Sequence, residues 1–192
     1  MRSLSSTKAS FSTTMVAAII LLFFSGTSDD VLANHVGNVE NINWYKEYGF
    51  YQLVSECLSE SSVGNCLTHW YSVKTGKTLL DWDVSMIEDM SDAFAYQYTF
   101  NGDLSKWDVS SVTRFDRMFN YATSYEGVGV ETWDTSKAES MQDMFWEATK
   151  FNGKVSGWNT NKVINMKWMF DKAKSFAQDV SGWTKHDGNS GA

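Results

Sequence analysis

Proline is absent from the 192 residues, cysteine occurs twice and histidine three times. Without proline, every change of chain direction falls to Gly, Asn, Asp and Ser. His35, His69 and His186 are scattered and make no pair at metal-ligand spacing. No Gly-x-Ser-x-Gly, His-Glu-x-x-His or phosphate-binding loop occurs, so the common hydrolase and nucleotide chemistries find no anchor. Positive charge is also short: 16 Lys and Arg stand against 23 Asp and Glu, a net −7. That balance argues against nucleic acid or an anionic membrane as partner. Met15 to Phe24, "MVAAIILLFF", is the main apolar run. It falls well short of the ~20 residues that cross a bilayer.

What is present begins with that run. Arg2 and Lys8 precede it and Val31-Leu32-Ala33 follow it, the order of a secretory signal over residues 1–33 with a mature start near Asn34. An uncleaved signal anchor is the alternative. Cys57 and Cys66, in "CLSESSVGNC", are an even pair behind a signal, which predicts one disulfide closing a short loop. No Asn-x-Ser/Thr acceptor follows residue 33.

The main feature is a repeat. Trp82, Trp107, Trp133, Trp158 and Trp183 are separated by 25, 26, 25 and 25 residues. Self-similarity at this period signals stacked units. Three residues before each Trp stands an aliphatic: Leu79, Leu104, Val130, Val155, Val180. Two residues after the first four stand Val84, Val109, Thr135 and Thr160. The alternation Trp-x-Val predicts a strand. Apolar steps of three and four then follow, as in Ile87, Met90, Phe94 and in Val163, Met166, Phe170, Ala173, and predict a short helix. Ser85 with Glu88, and Ser136 with Glu139, read as capping boxes at its start. An aromatic (Phe100, Tyr125, Phe151, Phe176) anchors the closing turn. Six methionines in two columns, and the five tryptophans, read as core; a promiscuous groove and a sugar-stacking row are the respective alternatives.

"WDVSSVTRFDRMFNYATSY" and "FNGDLSKWDVSSV" closely resemble the short repeat of BspA-like leucine-rich-repeat surface proteins, also described as a domain of unknown function in mycoplasma lipoproteins. The resemblance covers residues 79–183. It implies a surface or extracellular location, a binding role and no catalytic residues. "CLSESSVGNC" also looks like the disulfide-closed cap that precedes such repeats. The expected fold is therefore α/β: a leucine-rich-repeat-like solenoid of four 25–26-residue strand–helix units plus a partial fifth, with a helical, disulfide-pinned N-terminal cap. The expected organisation is a signal at 1–33, an arm or linker at 34–48, a cap at 49–78 with two short helices over 49–72, repeats at 79–183 and a tail at 184–192.

One repeated polar column is expected to face outward: Asp83, Asp108, Asp134 and Asn159, with Ser105, Lys106 and Glu131 beside it. Three roles fit it: bracing of the bends, an acidic strip that reads a ligand, or calcium between units. One carboxylate per unit is thin for calcium, which takes six or more oxygens. Equivalent carboxylates also lack the unlike environments that split acid from base in glycoside hydrolysis. The sequence reads as a non-catalytic module without metal or cofactor, secreted or on the cell surface, that binds protein or glycan. A structural segment of a wall or matrix adhesin is the alternative. Partners exclude nucleic acid, and the mature chain is expected to hold no transmembrane span.

Overall fold

The computed structural model describes residues 49–69, 72 and 75–184. The readings of a signal, an arm and a tail lie outside these residues, as do His35 and His186.

One α-helix, α1 (Phe50–Glu60), opens the described chain. Phe50, Leu53, Val54, Cys57 and Leu58 share its buried face, the three-and-four spacing of an amphipathic helix. Ser61 N–H bonds back to Cys57 O at 3.1 Å and ends it. Cys57 and Cys66 are joined with their Cα atoms 5.0 Å apart, as expected from the sequence. A loop this short is worth about 3 kcal/mol by the chain-entropy argument. Phe50 packs edge-on against Trp107, centroids 5.6 Å apart, so α1 covers indole that would otherwise meet water. Residues 61–69 run as turns, and the second cap helix expected by residue 72 includes positions outside the described residues.

The repeats correct the expected architecture. Among the described residues there is no β-strand and no sheet, and no repeat contains a helix beyond the 3-10 turns Leu79–Asp81 and Val130–Thr132. A strand–helix solenoid of the leucine-rich-repeat kind is not formed. The isolated parallel bridges Asp89–Arg114, Arg114–Ser140 and Ser140–Asn165 lie where the sequence suggested a helix. None lies at the Trp-x-Val segment suggested as a strand.

Each unit is instead a succession of hydrogen-bonded β-turns. In the second unit, Trp107 N–H bonds Leu104 O, Val112 bonds Val109, Met118 bonds Phe115, Ala122 bonds Phe119 and Tyr125 bonds Ala122, at 2.9 to 3.1 Å. The first and fourth residues of these turns point inward, and all of them are buried. Steps of three between apolar residues therefore come from turn corners. Between Phe115 and Ala122 the N–H groups alternate. Those of Phe115, Arg117, Phe119 and Tyr121 donate forward to Ser140, Gln142, Met144 and Trp146 O of the next unit at 2.8 to 2.9 Å. Those of Met118, Asn120 and Ala122 close local turns. An α-helix would send every one of them to its own carbonyl four residues back. The third residue of alternate turns is left-handed, as at Arg117 (φ 54°) and Tyr121 (φ 57°), which ends any right-handed run. The capping boxes are not formed either. Ser136 N–H donates to Asp134 Oδ1 at 2.9 Å, and Glu88 O accepts from Thr113 and Arg114 N–H.

The core is a set of columns. Phe94, Phe119, Phe145 and Phe170 stack with centroids 5.1, 5.5 and 5.6 Å apart and planes within 4°. Phe100, Tyr125, Phe151 and Phe176 make a second stack, and Trp133, Trp158 and Trp183 a third. The Met columns are buried beside them. Each Trp also explains the aliphatic three residues before it. Leu79 O accepts both Trp82 N–H of its own turn and Trp107 Nε1–H of the next unit, at 3.3 and 3.1 Å. Leu104, Val130 and Val155 carbonyls repeat the arrangement with Trp133, Trp158 and Trp183. A buried indole N–H needs such a partner, and this one locks successive units in register.

Candidate functional site

The column read from the sequence is exposed along its whole length. Asp83, Asp108, Asp134 and Asn159 stand between the buried Trp and Val/Thr positions. Each accepts the backbone N–H two residues ahead, at 3.2, 3.0, 2.9 and 3.1 Å. These are Asx turns, made because a short carboxylate or amide reaches its own backbone. Hydrogen bonds to the Ser110 side chain and N–H hold the Asp108 carboxyl below the ordinary aspartate range. Ser136 does the same for Asp134, against a smaller opposing push from the Asp108 charge. The Asp108 charge is thus felt at Asp134, and the side chains of the column are exposed to solvent.

The flanking residues take local roles. Ser105 N–H donates to Asp103 Oδ1 at 2.9 Å, and Ser105 O accepts from Thr132 Oγ1 at 3.2 Å. Glu131 Oε2 accepts Gly129 N–H at 3.1 Å. Lys106 pairs with Asp81. Among the described residues, no group of three or more His, Cys, Asp and Glu is placed to hold a metal ion. His69 is buried under the cap against Trp82, 3.5 Å from Glu56, and burial pulls its pKa down.

The structure adds two outward columns that sequence reasoning missed. Eight non-glycine residues have φ between 54° and 62°: Asp92, Arg117, Asp143 and Trp168 in one column, and Tyr96, Tyr121, Glu147 and Lys172 in the other. The Arg117 guanidinium grips Asp92 with two hydrogen bonds of 2.8 and 2.7 Å, which raises its pKa. Tyr96 stacks on Tyr121 at 5.2 Å, and Tyr121 meets the indole of Trp146 edge-on at 5.1 Å. Trp146 Nε1–H bonds Asp171 at 2.9 Å, and Lys172 lies over the Trp146 ring while pairing with Glu147 at 2.8 Å. A usable signal was present in the sequence: Tyr96, Tyr121 and Trp146 are aromatics off the apolar spacing of their units, where burial does not call for them.

These columns are built on a repeat that is matched elsewhere. The family model described as "Mycoplasma protein of unknown function, DUF285" matches residues 65–185. No curated protein and no solved structure matches the chain. Among the described residues no helix is long and apolar enough to cross a membrane. The match takes in well over half of the chain and every one of its repeats, and the chain belongs to the DUF285 family.

Proposed function

We propose that this chain is a secreted or cell-surface repeat module that binds a protein or glycan ligand through its outward side chains and catalyses no reaction. The observation that carries this reading is the composition of the left-handed positions. A residue other than Gly, Asn or Asp held there costs roughly 1–2 kcal/mol. An architecture selected only to stack would favour glycine. Six of the eight positions instead hold Tyr, Trp, Arg, Lys or Glu. Their mutual contacts do not offset the strain: an exposed ion pair such as Arg117–Asp92 returns about 0–1 kcal/mol. A use beyond stability accounts for side chains retained at such a cost. Aromatic residues and arginine are also the types enriched where proteins meet partners. The resemblance to BspA-like surface proteins supports the same location and role.

The Asp83, Asp108, Asp134, Asn159 column serves first to brace the bends, with its exposed side chains available to a ligand. That bracing is what favours the second reading, a structural segment of a wall or matrix adhesin. A binding screen of the secreted full chain against a glycan panel and surface-protein extracts separates the two. Saturable binding weakened by changes in the outward columns supports the module. Absence of any saturable ligand supports the structural segment.

A further inference from the structure

We infer that Tyr96, Tyr98, Tyr121 and Trp146 form a platform for an uncharged oligosaccharide. This rests on the binding role proposed above and names its ligand class and place. Tyr96 and Tyr98 are 56% and 54% exposed, large values for aromatic rings in an ordered stack. They stand at 66° to each other with centroids 6.4 Å apart. Trp146 stands at 74° to Tyr121. Rings in two orientations thus lie together, Tyr96 and Tyr121 face to face with Tyr98 and Trp146 across them, and Tyr96 and Tyr98 are the most open to a ligand while Lys172 lies over the Trp146 ring. A pyranose has a matching form: one face of C–H groups, which suits the negative face of an aromatic ring, and a rim of hydroxyls. None of the three tyrosine hydroxyls has a protein partner among the described residues, so each is available to that rim.

Charge decides between ligand classes. The chain is strongly acidic, yet the ions beside these rings are matched within the protein. Arg117 is held by Asp92, Lys172 by Glu147, and Asp171 accepts from the Trp146 indole. A highly charged ligand would have to break these pairs, whereas an uncharged saccharide need not. Tyr96 and Tyr121 also occupy left-handed backbone at φ 62° and 57°, where the repeat itself has no need of an aromatic.

The test uses the full chain, with uncharged hexasaccharides of β-1,4-linked glucose and of N-acetylglucosamine as probes. Indole N–H resonances are followed by NMR and melting temperature is measured alongside. The expected result is a saturable shift of the Trp146 indole signal with at least one sugar, unchanged by added salt. Tyr96→Gly combined with Tyr98→Ala should weaken it at least tenfold. Tyr96→Gly alone should leave the melting temperature equal or higher, because glycine relieves the left-handed strain; a fall would assign Tyr96 to stacking alone and overturn the platform. The proposal is also overturned if neither sugar shifts Trp146 at millimolar concentration, or if the double variant responds like the parent. In those cases, a protein ligand found in the screen leaves the binding module standing, and finding no ligand at all removes both.

Discussion

Asp108 is exposed and its carboxylate accepts hydrogen bonds from Ser110 of its own bend, so it stands for the small repeated devices of this molecule. Asp108→Ala removes the carboxylate's hydrogen bonds to Ser110 at an exposed bend and also relieves repulsion with Asp134. We expect a loss of about 1 kcal/mol in urea unfolding. A loss several times larger would show that the column carries more than its bend. The same hydrogen bonds set a pH dependence. Asp103, Asp108 and Asp134 all titrate below the ordinary aspartate range in the folded state, because serine donors favour the charged form. Their contribution is therefore complete above the unfolded value near pH 4, and is lost as pH falls through the lower folded values. Melting temperature should hold between pH 5 and about 7 and decline below about 4. In Asp108→Ala that acid decline should be shallower, and a parallel curve would refute the linkage.

At the scale of one unit, the inserted residue of the second repeat shows how turn chemistry constrains the backbone. Gly127 and Gly129 have φ of 92° and 93°. A Cβ on Gly129 would stand 2.2 Å from the backbone nitrogen of Ser105, which belongs to the same unit's Leu104 turn and cannot move aside like a flexible side chain. Left-handed strain and a backbone clash act together here. Gly129→Ala is expected to cost at least about 2 kcal/mol, seen as a lower urea midpoint. Gly157 has no atom within 4 Å of a built Cβ and an ordinary φ. Gly157→Ala should be close to neutral, and similar losses at both sites would mean that the loop is not held as described.

At the scale of the whole stack, stability passes between neighbours. Trp133 is 5% exposed, stacks on Trp158 at 6.0 Å and donates to Leu104 O of the preceding unit at 3.2 Å. Trp133→Ala leaves a cavity between two units and should cost about 3–5 kcal/mol. Because units stacked in one dimension depend on their nearest neighbours, loss at the middle should weaken both sides. Hydrogen exchange should then speed up at Phe119 and Phe145, whose N–H groups bond forward to the next unit. Faster exchange confined to the third unit would argue against such coupling.

The sequence by itself determined which residues are inside and at what interval. The Trp, aliphatic, Phe and Met columns were legible because burial demands an apolar side chain whatever backbone carries it. The Cys57–Cys66 bond was legible from the even count and short loop. The outward placement of Asp83, Asp108, Asp134 and Asn159 was legible because a polar residue between two buried ones must face water. The backbone was not legible. A helix and a run of β-turns both put apolar residues three and four apart, and Trp-x-Val alternation arises in extended segments that pair with nothing. Only the tertiary structure decided between them. Met90, Asp92, Phe94 and Tyr96 could have bonded within their own segment, but their N–H groups meet carbonyls of the next unit at 2.8 to 2.9 Å. That partner lies some 24 residues away and exists only once the units are stacked. The same long-range bonds force Tyr96 and Tyr121 into left-handed backbone and turn their rings outward, so the surface proposed to bind is a product of stacking that no local pattern contains.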